Sequence, residues 1–108
     1  MCRDSQEVFW RETLIVGVLI LHLFIAESGS LKEKRRYVRS IKDKLRSGFN
    51  VSVSEIDNQE LWQRATLGVV IAGSDISSIK KSLDKIRDFV NRNWSHLVID
   101  VEQELISL

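Results

Sequence analysis

Twelve consecutive residues, Leu14 to Ile25, are apolar apart from Gly17 and His22. A helix of that length rises about 18 Å, short of the ~30 Å needed to cross a bilayer. The run is rich in Val, Ile and Leu and reads as a long strand. Both of its alternating sets are apolar. One holds Ile15, Leu19, Leu21, Leu23 and Ile25; the other holds Leu14, Val16, Val18, Ile20 and Phe24, with His22 among them. Successive side chains of a strand point to opposite faces, so this pattern demands cover on both sides. The rival reading is the apolar core of a cleaved signal peptide. Against it, the preceding residues mix Arg3 and Arg11 with Asp4, Glu7 and Glu12.

The remaining segments alternate between helix and strand periods. Ser30-Leu31-Lys32-Glu33 has the form of a capping box and opens a helix running to about Arg46. Leu31, Val38, Ile41 and Leu45 recur at helical spacing, and Gly48 is placed to end the helix in the left-handed conformation. Val51 and Val53 alternate with serines in a second strand, residues 50–57. Residues 58–63 form a polar connection that contains Trp62, and residues 65–72 form a third strand, hairpin-paired with the second. After Gly73-Ser74-Asp75, the series Ile76, Ile79, Leu83, Ile86 and Val90 marks a second amphipathic helix ending at 91–93. Residues 96–104 read as a fourth strand and 105–108 as a tail. Trp94 reads as a core plug.

Strand, helix, strand, strand, helix, strand folds most economically as two βαβ halves with both helices on one sheet face. This is the α+β ferredoxin-like arrangement, a four-stranded antiparallel sheet in the order 4-1-3-2. Residues 1–12 are expected to be an N-terminal extension and 13–108 a single domain of ordinary size. The second sheet face is then open. It would show Val16, Val18, Ile20, His22 and Phe24, and an apolar patch of that kind calls for another subunit, the N-terminal arm or a protein partner to cover it.

Charge is the main functional signal. The whole chain carries a net +1, yet residues 31–49 hold eight basic residues against two acidic ones, a local +6 balanced by −5 elsewhere. On a helical wheel Lys32, Arg35, Arg36, Arg39, Lys42 and Arg46 share one arc beside the apolar stripe. Such a stripe suits a phosphate backbone; the alternative is a solvated face whose long stems cover apolar surface. Lys34 falls on the apolar side and is expected to reach past the sheet edge. Trp62 and Arg64 in the connection are either interface anchors able to stack on a base, or, for Trp62, a ring folded back on the core. Glu55, Asp57 and Glu60, like Asp100, Glu102 and Glu104, read as solvent-facing carboxylates.

Nothing in the sequence assembles a catalyst. Ser28, Ser30 and His22 do not form a nucleophile–base set, and residues 26–30 lack the arginine that an acylphosphatase-like hydrolase would need. A lone Cys2 and two histidines without ligand spacing argue against a metal or a disulfide and suit a reducing cytoplasm. No cofactor and no small-molecule substrate are implied.

Several segments carry a family resemblance. They are Ile15-Val16-Gly17-Val18-Leu19, Ser30 to Arg36 (SLKEKRR), Phe49 to Glu55 (FNVSVSE), Asp57 to Arg64 (DNQELWQR) and Asp100-Val101-Glu102. Together, over about residues 14–105, the chain resembles the YlxP-like family, a bacterial family of unknown function numbered 503. The resemblance implies a ferredoxin-like fold and no established activity. Its members are often encoded near transcription and translation factors, which implies an association with ribosomes. The sequence departs from the family pattern at Ile20 and His22, where charged residues are usual, and at Phe24 to Glu27. The expectation is a non-enzymatic RNA- or ribosome-associated factor, with a protein-interaction module dimerising through its open sheet as the alternative.

Overall fold

The computed structural model describes residues 13–108. The expected extension, 1–12, with Cys2, lies outside them. The elements are β1 (Ile15–Phe24), α1 (Leu31–Gly48), β2 (Ser52–Asp57), β3 (Arg64–Gly73), α2 (Ile76–Trp94) and β4 (Val98–Ser107). All pairings are antiparallel and the sheet order is β2-β3-β1-β4, as the ferredoxin-like reading requires. Among the described residues no helix is long and apolar enough to cross a membrane.

The two sets of β1 separate as their alternation dictates. Ile15, Leu19, Leu21 and Leu23 are buried in one core with Val38, Ile41 and Leu45 of α1 and Ile79, Leu83, Ile86 and Val90 of α2. Trp94 and Leu97 close that core at the end of α2. Gly17 lies where α2 crosses the sheet. A Cβ there would stand 2.7 Å from Ile79 Cγ2 and 3.1 Å from Leu83 Cδ1, so only glycine permits the approach.

Both helix starts follow from their caps. Ser30 Oγ accepts from the Glu33 N–H, and Asp75 accepts from the Ser78 N–H. The Glu33 carboxylate reaches back to the Gly29 N–H, one residue before the cap. The Ser78 hydroxyl and then its N–H donate to Asp75 and hold that carboxyl below its usual range. A lowered acid stabilises the fold above the ordinary carboxylate range, and that contribution fades as pH falls through the folded value.

Four local expectations are corrected. Gly48 is the last helical residue, and the chain leaves through an extended Phe49 cap whose N–H donates to the Leu45 carbonyl. Ile76, assigned to the apolar stripe, is the first helical residue and is exposed, and burial begins one turn later at Ile79. α2 itself runs on through 91–93 to Trp94. β4 continues to Ser107 because the start of β1 offers it partners: Ile15 pairs Ser107 and Gly17 pairs Leu105.

Candidate functional site

β2 is an edge strand, and α1 lies beside it. Between them runs a groove of about 370 Å³ lined by Arg35, Val38, Arg39, Lys42, Arg46 and the carboxylates Asp43 and Glu55. Positions 35, 39, 42 and 46 recur at helical spacing, so one row of cations spans about 16 Å of helix axis. Arg46 anchors the row by donating from Nη2 to the Val53 carbonyl, 2.9 Å away, and thereby covers part of the unpaired edge of β2. Arg35, Arg39 and Lys42 make no ion pair or hydrogen bond among the described residues, and neither do Lys32 and Arg36. Lys32 and Arg36 are exposed but sit on the adjoining row, outside the groove.

Lys34 corrects the expectation that it would reach past the sheet edge. Its side chain is 1% exposed. Nζ donates to the carbonyls of Asn58 (2.8 Å), Gln59 (3.2 Å) and Arg64 (3.1 Å), which uses all three of its protons. Glu55 Oε2 stands 3.0 Å away and receives no directed hydrogen bond, so that contact is ionic. Glu55 is accordingly not a solvent-face carboxylate; its position on β2 turns it toward α1. The cage forms because a buried ammonium needs every proton satisfied and its charge balanced.

That cage fixes the connection 58–63. Asn58 takes a positive φ of 63°, and its Nδ2 donates to Thr66 Oγ1 at 2.9 Å. Gln63 Nε2 donates to the Ala26 carbonyl at 3.0 Å, and the Gln63 carbonyl accepts from the Ile25 N–H. The connection holds Trp62 outward, 58% exposed, and not folded on the core. The Arg64 guanidinium is exposed and unpaired among the described residues.

The open sheet face carries its own pattern. Val16, Val18, Ile20 and His22 of β1 are half-buried and Phe24 is exposed. Register places Val70, Gly68 and Thr66 of β3 on one side of them and Ile106, Glu104, Glu102 and Asp100 of β4 on the other. His22 Nε2 lies 2.6 Å from Glu102 Oε2. This face is therefore apolar at its centre and acidic along β4, whereas the cations lie on α1. Among the described residues no three His, Cys, Asp or Glu side chains gather to hold a metal ion.

Of the expected site residues, then, the groove brings together Arg35, Arg39, Lys42 and Arg46. Trp62 and Arg64 join Phe24 at a separate corner. The wheel could not find Lys34 and Glu55, because the carbonyls around Lys34 come from residues 24 to 30 positions away.

The model of a protein family described as "Protein of unknown function (DUF503)" matches residues 16–103. The chain is similar to "Uncharacterized protein YlxP" of Bacillus subtilis (strain 168), 34% identical over 77 residues, which is 71% of this chain and 84% of the relative. The chain belongs to the DUF503 family of proteins of unknown function.

Proposed function

We propose that this protein is a non-enzymatic, cytoplasmic RNA-binding factor that holds a phosphate backbone in the groove between α1 and β2. The observation that carries the reading is the free state of Arg35, Arg39 and Lys42. These three cations have no ion pair among the described residues, and with Arg46 they outnumber the two carboxylates of the groove wall, Asp43 and Glu55, so an added anion relieves their mutual repulsion. Charge separation adds direction. The acidic row of β4 repels a polyanion from the sheet face while α1 attracts it. A βαββαβ domain can also read RNA with aromatic side chains on its sheet. Here the centre of that face holds Val18, Ile20 and Val70 beside Glu102 and Glu104, which disfavours that mode. Sedimentation of a native cell extract tests the proposal. At low salt the protein should migrate with RNA-containing particles and return to the top of the gradient after ribonuclease. A position insensitive to ribonuclease would contradict it.

A second reading concerns the open face. Val16, Val18, Ile20, Val70 and Ile106 are adjacent there and incompletely covered. Such a patch favours a homodimer joined face to face, which would present two cationic grooves. Analytical ultracentrifugation should show a dimer that Ile20→Lys dissociates. A monomer at high protein concentration removes this reading and leaves the first intact.

A further inference from the structure

At the corner where β1 ends, the structure has a second concavity, about 510 Å³, walled by Phe24, Leu61, Trp62, Arg64, Ser28 and Gly29. Phe24, Leu61 and Trp62 are 39%, 47% and 58% exposed. Two aromatic rings and a leucine left to water around one hollow are a cost that a bound group would remove. Building on the RNA reading above, we infer that this hollow receives one unpaired base of the strand whose backbone crosses α1.

Three features select a base over other occupants. The rings of Trp62 and Phe24 offer π-faces on which any base can stack. The Arg64 guanidinium, whose own carbonyl is held by Lys34, is free to take the attached phosphate or a base edge. Near the start of α1 the Gly29 N–H already donates to the Glu33 carboxylate and the Glu33 N–H to Ser30 Oγ, so neither is open to a phosphate. The two rings and Leu61 favour a neutral, flat group in the hollow, with its attached phosphate at Arg64. The site is also preorganised. The connection that bears Trp62 is tied to α1 through the three carbonyls on Lys34 and to the β1–α1 turn through Gln63 and Ala26. Its walls need no ordering when a base enters, so stacking is not offset by loop entropy. Ser28 and Gly29 sit in the same wall, α1 begins at Leu31, and Arg35 follows Leu31 by one helical turn, about 6 Å along the axis. The hollow thus adjoins the end of α1 at which the cationic row begins. The consequence is a preference for single-stranded RNA, because a paired base cannot leave its stack without cost.

Fluorescence anisotropy with three probes tests this: labelled oligouridylate, a labelled RNA duplex, and inorganic polyphosphate as competitor. Trp62→Ala should weaken oligouridylate binding by about 5- to 150-fold and leave the duplex and polyphosphate unchanged. Trp62→Phe should restore most of the loss, and Phe24→Ala should repeat it in part. Equal weakening of all three probes, or of none, overturns the inference while the backbone reading stands. Unchanged oligouridylate binding with altered sedimentation of Trp62→Ala would instead make the hollow a protein-docking site and overturn it too. Failure of the unaltered protein to bind any of the probes is the separate failure of the RNA reading itself.

Discussion

Lys34→Met should lower the stability of the fold by about 3–5 kcal/mol, the usual cost of stripping one partner from a buried ion pair. The methionine fills a similar volume, so the loss is electrostatic and not a cavity effect. It leaves the Glu55 carboxylate without its counter-charge and takes the Lys34 donor from the carbonyls of Asn58, Gln59 and Arg64, of which Asn58 keeps the Leu61 N–H. Domains of this size are stable by only ~5–15 kcal/mol, so the variant sits near the edge of folding. Thermal unfolding followed by circular dichroism should show a midpoint at least ~12 °C lower. Adding Glu55→Gln should recover part of the loss, since the orphaned charge is then gone. A loss below about 1 kcal/mol would mean that the ammonium reaches water and that the cage does not hold the connection.

That same lysine marks the limit of what could be read before the structure was known. The six elements are legible because each rests on local information. β1 has alternation on both faces, α2 has the 3–4 stepping of Ile79, Leu83, Ile86 and Val90, and Ser30 and Asp75 announce the helix starts. The order of the strands follows from connection rules and not from any single residue. Lys34, by contrast, is a charged residue on an apolar stripe. Composition favours exposure for lysine, and the groups that reverse this are backbone carbonyls distant in sequence, which leave no trace in residue type. Glu55 was hidden for the same reason: alternation alone does not say that its face meets α1. The extent of β4 depended on partners at the start of β1, and Gly48 had no need of a left-handed turn once Phe49 could cap the helix in an extended form.

The candidate site was legible in part. A wheel places six cations on one arc, but only the position of β2 decides that Arg35, Arg39, Lys42 and Arg46 line a groove while Lys32 and Arg36 stand outside it. The hollow at Trp62 needed the fold as well. Phe24 and Trp62 are far apart in the chain and meet because β1 pairs β3 through Phe24 and Arg64.

Reversing the free members of the row, Arg35→Glu, Arg39→Glu and Lys42→Glu, should weaken RNA binding by at least ~100-fold. Opposite charges a few ångströms apart interact by about 1 kcal/mol even in water, and each substitution turns an attraction into a repulsion. The three side chains hold no partner among the described residues, so the fold should keep its unfolding midpoint. Arg46 is left in place because it donates to Val53 and helps close the edge of β2. The contrast with Lys34 is one of burial and partners: Lys34 is buried in a cage of carbonyls, whereas Arg35 and Arg39 are exposed and Lys42 half-buried, with no partner among the described residues.

The dependence of oligouridylate affinity on salt tests the central claim most directly, since each phosphate neutralised releases bound counterions. With four groove cations engaged, the logarithm of the binding constant should fall with the logarithm of salt concentration at a slope of about −2.8, and the charge-reversed variant, which keeps only Arg46, should show a slope no steeper than about −0.7. A flat dependence in the unaltered protein, or the same slope in both proteins, would contradict a phosphate backbone lying along α1.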